Sequence, residues 1–172
     1  MTDTLTILAI DPGPVMSAWV LLHDGAVYAS AIDANDDVLD RVRNADDFEH
    51  LRIQAVACEW IECYGMAVGK DVFETVHWIG RFAEAAANYG MLHRVTRRQV
   101  KLNLCNSARA KDANVRQALI DRFPATGGGK CPQIGTKACK GPLYGCRSHI
   151  WSALAVGVVF QDQLTKEPTN AP

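Results

Sequence analysis

Near the start of the chain, Leu5-Thr6-Ile7-Leu8-Ala9-Ile10 is almost wholly apolar and does not alternate; it ends on Asp11, followed by Pro12-Gly13-Pro14. A strand that is apolar on both faces has to lie inside a sheet covered on both sides. This run therefore constrains the fold more than any other part of the chain, and it argues for the central strand of an α/β domain. A carboxylate at the end of such a strand is expensive to hold unless something pairs with it. Gly13 and its flanking prolines turn the chain sharply beside the charge. A core strand that delivers one Asp to the end of a sheet reads as a metal or phosphate site.

The neighbouring segments extend that sheet. Residues 15–22 and 26–32 read as two further strands, and Asp24-Gly25 between them is a strong hairpin signal. Residues 34–51 carry Val38, Leu39, Val42, Phe48 and Leu51 at helical spacing, with a break expected near Asn44. Residues 54–61 form a fourth strand bearing Glu59, and Gly65 and Gly69 mark a loop. The spacing of Val72, Val76, Ile79, Phe82 and Ala86 predicts a helix over 71–89 closed by Gly90. A short fifth strand is expected at 91–96, a helix at 112–123 ended by Pro124, and a last apolar helix at 149–164 with Ser148 as its N-cap. Residues 125–147, with six glycines and two prolines, read as a long loop, and the tail from Thr165 should fray. Strands alternating with helices make a mixed sheet with helices on its faces, in a single domain over 1–165.

The 172 residues are enough for a sizeable core, and 48% hydrophobic with 22% charged residues is an ordinary globular composition. No apolar run reaches the roughly 18–20 residues of a membrane span. The start lacks the basic region of a signal peptide, so a cytoplasmic protein with reduced cysteines is expected; Cys58, Cys63 and Cys105 then simply fill space. Net charge is −1, which taken alone argues against a nucleic-acid binder, yet the charge is polarised. Residues 1–93 hold 5 Lys+Arg against 15 Asp+Glu, whereas residues 94–147 hold 12 against 2. An acidic pocket beside a basic track is one reading, and two oppositely charged solvated helices is the plainer one.

Asp11 and Glu59 each close a strand. If those strands are neighbours, about 4.8 Å apart, the two carboxylates repel unless a proton or a metal lies between them. Hard oxygen ligands suit Mg²⁺ or Mn²⁺, and such a site can activate water for phosphodiester cleavage. Glu62 would face the other side of a continuing strand and reaches the site only if the chain turns after Ile61. His149 and Ser152 share one face of the last helix, and Ala153 and Ala155 beyond them allow close packing on the sheet.

Three segments in this order resemble the RuvC-like Holliday junction resolvases of the RNase H-like superfamily. Ile7-Leu8-Ala9-Ile10-Asp11-Pro12-Gly13 is similar to their first strand with its metal-binding Asp, and Val56-Ala57-Cys58-Glu59 to the strand with their catalytic Glu. Ser148-His149-Ile150-Trp151-Ser152-Ala153-Leu154-Ala155 is similar to their last helix, D/H-x-x-D-A-x-A. The resemblance spans most of residues 5–160 and implies an RNase H-like mixed five-stranded sheet with helices on both faces. It also implies a homodimer that cuts branched DNA with Mg²⁺ or Mn²⁺, leaving 5′-phosphate and 3′-hydroxyl. Asp11, Glu59 and His149 would be metal ligands, and Glu62 and Ser152 further catalytic candidates. Ser152 departs from the pattern, because the family has Asp there and a neutral hydroxyl is the poorer cation ligand. That departure leaves open a second reading, a weak or inactive branched-DNA-binding protein of the same fold. The Gly-rich insertion 125–147 looks more like the phage or prophage branch than the bacterial one. An actin-like ATPase fragment shares only the first motif.

For DNA binding the basic segment offers Arg94, Arg97, Arg98, Lys101, Arg109 and Lys111. The loop adds Lys130, Lys137, Lys140 and Arg147, with Tyr144 able to stack on an unpaired base. Gly127-Gly128-Gly129-Lys130 lacks the spacing and the preceding strand of a phosphate-binding loop. Cys131, Cys139, Cys146 and His149 have zinc-ligand chemistry but no C-x2-C pair; three free thiols are the simpler reading.

Overall fold

In the computed structural model, which describes residues 4–44, 51–63, 65 and 67–166, β1 (Thr6–Asp11) is the central strand of a five-stranded sheet. The order is β3-β2-β1-β4-β5, with β2 Met16–His23, β3 Ala26–Ala34, β4 Ala55–Trp60 and β5 Leu92–Thr96. β1 pairs antiparallel with β2 and parallel with β4, and β4 is parallel to β5. The β2–β3 hairpin turns at Asp24 and Gly25, whose φ values of 50° and 75° are the left-handed pair that a tight Asp-Gly turn needs.

Because side chains alternate along a strand, β1 sends Leu8 and Ile10 to one face and Ile7 and Ala9 to the other. On the first face they meet Trp19, Leu21, Val56 and Cys58 under α1 (Asn35–Arg43) and α2 (Lys70–Ala85). On the second they meet Ala18, Val20, Leu22, Ala55 and Ala57 under α5 (Ile150–Lys166), with α3 (Arg97–Cys105) and α4 (Asp112–Arg122) packed outside. A helix that is apolar all round is a buried helix, and α5 is buried continuously from Ala153 to Phe160. It approaches β1 and β2 closely: a Cβ added to Gly157 would stand 2.6 Å from Leu22 Cδ1 and 3.0 Å from the Ala9 Cβ.

The expected strands all form, within two residues at either end. The helical stretch over 34–51 breaks where expected: α1 ends at Arg43 with Asn44 as its C-cap, and Phe48 and the rest of 45–50 lie outside the described residues. The helix over 71–89 is α for sixteen residues and then 3₁₀ over Ala86–Tyr89, closed by Gly90 at φ 97°. Helix α3 has no counterpart in the sequence reading. It begins directly after β5, where Thr96 accepts from the Gln99 N–H and the Gln99 side chain accepts from the Thr96 N–H, a reciprocal cap.

Ser148 is not the N-cap of α5. Its φ of 45° is left-handed, whereas an N-cap needs extended backbone, so it contributes a carbonyl that accepts from Trp151 instead. The 125–147 segment is ordered by its own backbone. Gly127 and Gly128 donate to the carbonyls of Pro132 and Cys139, Gly141 to Ile134 and Leu143 to Gln133, and Leu143 is fully buried. The glycines serve this crossing: a Cβ on Gly135 would sit 2.2 Å from the Gly141 nitrogen. Two of the amides that a phosphate loop would aim at its ligand are therefore already spent.

Candidate functional site

Ile10 is paired with Cys58, so Asp11 and Glu59 are the next residues along two neighbouring parallel strands. By parity both follow Ala9 and Ala57 onto the α5 face, at the carboxyl ends of their strands. The side chains keep only 13% and 18% exposure, and burial raises both pKa values, Glu59 to about 7, with the Asp11 charge next in importance. The two carboxylates thus oppose each other's ionisation.

Three other groups complete the site. The His149 imidazole donates from Nδ1 to Asp11 Oδ2 at 2.9 Å and lowers the Asp11 pKa against the burial effect. Arg97, the first residue of α3, has Nη1 3.9 Å from Glu59 Oε2 and Nη2 2.5 Å from Asp112 Oδ1 at the start of α4. The turn after Asp11 is fastened from the hairpin and α1. Ser17 Oγ donates to Asn35 Oδ1 at 2.6 Å and accepts from the Gly13 N–H at 3.3 Å, while Asn35 Nδ2 donates to the Gly13 carbonyl at 2.9 Å. Gly13 is required there, since a Cβ would lie 2.4 Å from the Met16 carbonyl oxygen.

Two adjacent, largely buried carboxylates fit a hard divalent cation, which would neutralise both. The expected set of three ligands is not closed, however. Among the described residues no group of three or more His, Cys, Asp and Glu side chains could hold a metal ion. His149 spends Nδ1 on Asp11 instead. Glu62 is exposed, two residues beyond β4, and the main charges acting on Asp11 and Glu59 come from each other, His149, Arg97 and Asp112. Ser152, one turn into α5, lines a cavity with His149 and Arg97. The zinc reading finds no cluster either: Cys131 Sγ points to Gln133 Oε1 at 3.7 Å, Cys139 is an exposed free thiol, and burial pushes Cys146 up to about 11. Burial also raises the Cys58 thiol, which keeps it inert on the opposite face.

Apart from Arg94, which follows Leu92 onto the α1–α2 face, the basic residues of 94–147 named above gather on the α5 side. Arg98 and Lys101 lie on α3, Arg109 and Lys111 on the α3–α4 connection, and Lys130, Lys137 and Arg147 are exposed on the loop. Arg94 lies over the Trp60 ring at 4.0 Å on β5, and Lys140 over Tyr144 at 5.1 Å. Arg97 differs from these, being engaged with the carboxylates. Sequence reasoning passed over Asp112, Arg116, Ser17 and Asn35. Only Asp112 had a visible signal, an acidic residue in a helix's first turn.

The sequence matches no family model and no curated protein. Among solved structures, the chain is similar to Thermus thermophilus RuvC in complex with a Holliday junction substrate. The TM-score is 0.65 at 16% identity, over 94% of this chain and 96% of that one. A second Thermus thermophilus RuvC structure gives a TM-score of 0.63 at 16% identity, over 94% and 97%. The fold is therefore the RNase H-like α/β fold of RuvC. Both neighbours are Thermus thermophilus proteins, which lends no support to the phage or prophage branch suggested by the loop.

Proposed function

We propose that this chain is a metal-dependent, structure-selective endonuclease that resolves four-way or other branched DNA by phosphodiester hydrolysis. It would act with Mg²⁺ or Mn²⁺, as a homodimer in the cytoplasm, with residues 1–165 as its single nuclease domain. The observation that carries this reading is the pair of largely buried carboxylates, Asp11 and Glu59, side by side at the ends of two parallel strands. The second Thermus neighbour adds only fold; the first is bound to a Holliday junction, which is the partner proposed for this chain.

Asp11 and Glu59 would hold the cation, which when bound polarises the scissile phosphate and acidifies the attacking water. Arg97 balances the charge on Glu59 and is itself held by Asp112. His149 is tethered through Nδ1 and its side chain is 73% exposed, so Nε2 is the atom free to move a proton at the leaving oxygen. Arg98, Lys101, Arg109, Lys111 and the loop residues Lys130, Lys137, Lys140 and Tyr144 would track the DNA backbone and its unpaired bases.

Asp11→Asn should cut a synthetic four-way junction roughly 10²–10³-fold more slowly, as the loss of several kcal/mol of charge stabilisation implies. Cleavage at the wild-type rate would sink the proposal. The second reading, a weak or inactive branched-DNA binder, is favoured by Ser152 and by the unclosed ligand set. Junction binding without any Mn²⁺-dependent nicking, together with nicking restored in Ser152→Asp, would establish it.

A further inference from the structure

Beside the carboxylates, α4, α5 and the 125–147 loop line a cavity of about 950 Å³ that shares Arg97, Asp112 and His149 with the proposed chemistry and is otherwise unassigned. It falls within the range of about 300–1,000 Å³ of small-molecule sites. Its depth is apolar, formed by Val115, Ile120 and Ile134, and Trp151 supplies an aromatic wall. Its rim carries Arg97, Arg116 and Arg147, and Asp112, the one acid on the lining, is already bonded to Arg97. The Arg116 guanidinium lies over the Trp151 ring, 4.9 Å from its centroid. His149 and Ser152 belong to the same lining, so the cavity opens directly beside the group bonded to Asp11.

This combination suits one ligand chemistry. An apolar slot with an aromatic and guanidinium wall accepts the flat face of a nucleobase, and the exposed Arg147 at the mouth accepts a phosphate beside it. A base within a duplex cannot enter without leaving its stack, whereas the bases at a branch point are already partly unpaired and cost less to extrude. We propose that this cavity takes one unstacked nucleobase of the strand whose phosphate lies at Asp11 and Glu59. The inference rests on the nuclease reading and deepens it. The pocket, rather than a base-reading helix, then fixes which phosphate reaches the carboxylates.

The test measures affinity rather than turnover. Synthetic four-way junctions carrying a single abasic site, moved one nucleotide at a time through the positions flanking the crossover, are bound in Ca²⁺ and followed by gel shift. The wild type should lose about tenfold in affinity at one position, within the range set by stacking of one base on a protein platform. In Arg116→Ala and in Trp151→Ala the intact junction should bind correspondingly more weakly, and the abasic penalty should shrink to less than about twofold. Arg116 is exposed, so its variant keeps the comparison open even if circular dichroism shows Trp151→Ala unfolded. Equal penalties in wild type and variants, or no penalty at any position despite tight binding of the intact junction, overturn the pocket. A wild type that binds the intact junction no better than linear duplex overturns the branched-DNA reading, and the pocket with it.

Discussion

The two faces of the sheet are built from the same strands and differ in what they are for. Under α1 and α2 the strands present Leu8, Ile10, Trp19 and Leu21, and Phe82 of α2 fills the space between. Under α5 they present Ala9, Ala18, Ala55 and Ala57 between Ile7, Val20 and Leu22, and the helix answers with Ala153 and Gly157. Large side chains hold a helix away from a sheet; small ones let it come close. The first face is therefore a packed core, and the second is a mount that carries the start of α5 to the ends of β1 and β4. Charge follows the same division. The six acids of α1 and α2 are largely offset by Arg41, Arg43, Lys70 and Arg81, while Arg98, Lys101, Arg109 and Lys111 lie on α3 and its connection to α4 with no acid among them. The surplus of basic charge therefore sits on the α5 side of the sheet.

Three substitutions would break or sharpen this contrast. The largest effect is expected for Phe82→Ala, which should cost about 3–5 kcal/mol in denaturant unfolding through the cavity it leaves. Per folded molecule it should leave junction cleavage unchanged, because that face only fills space. Gly157→Val should cost less stability, roughly 2–3 kcal/mol, through overpacking against Leu22 and Ala9. It should nevertheless lower cleavage per folded molecule, because α5 must tilt away and carry His149 with it. Equal activity losses from the two variants would erase the distinction between core and mount.

The smallest effect is on Glu59, and it depends on pH. Its folded pKa, about 7, is raised from 4.5, so its stabilising contribution is full below about 4.5 and is lost as pH rises through 7. Without divalent cation, Glu59→Gln should therefore unfold later than wild type at pH 8, by about 1–2 kcal/mol, and show no advantage near pH 4.5. A glutamine there gives up the ion pair with Arg97, which keeps the gain below what burial alone would give. Thermal melts at the two pH values check the sign; a gain at pH 4.5 with none at pH 8 would reverse the assignment.

Much of this was legible in the residues. The unbroken apolar run placed β1 at the centre, Asp24-Gly25 marked the hairpin, and strand parity alone put Asp11 and Glu59 on one face once β1 and β4 were neighbours. What stayed hidden depended on pairings distant in sequence or on local backbone geometry. Helix α3 follows β5 without a connector, and Val100, Leu102 and Leu104 alternate as a strand would, so only Thr96-x-x-Gln99 marked it. Ser148 has the right chemistry for a cap, but its backbone is left-handed. The engagement of Arg97 with Glu59 and Asp112 joins three elements, and no spacing rule reaches across them. The 125–147 segment was legible as a loop, while the backbone crossing that orders it was not.

Asp11 and His149 lie 138 positions apart in the chain and 2.9 Å apart in space. The β1–β4 pairing that sets Asp11 beside Glu59 already joins residues 48 positions apart, and the bond to His149 reaches almost the whole length of the chain. The site is therefore assembled from both ends of the sequence, and it exists only where α5 is seated on the sheet.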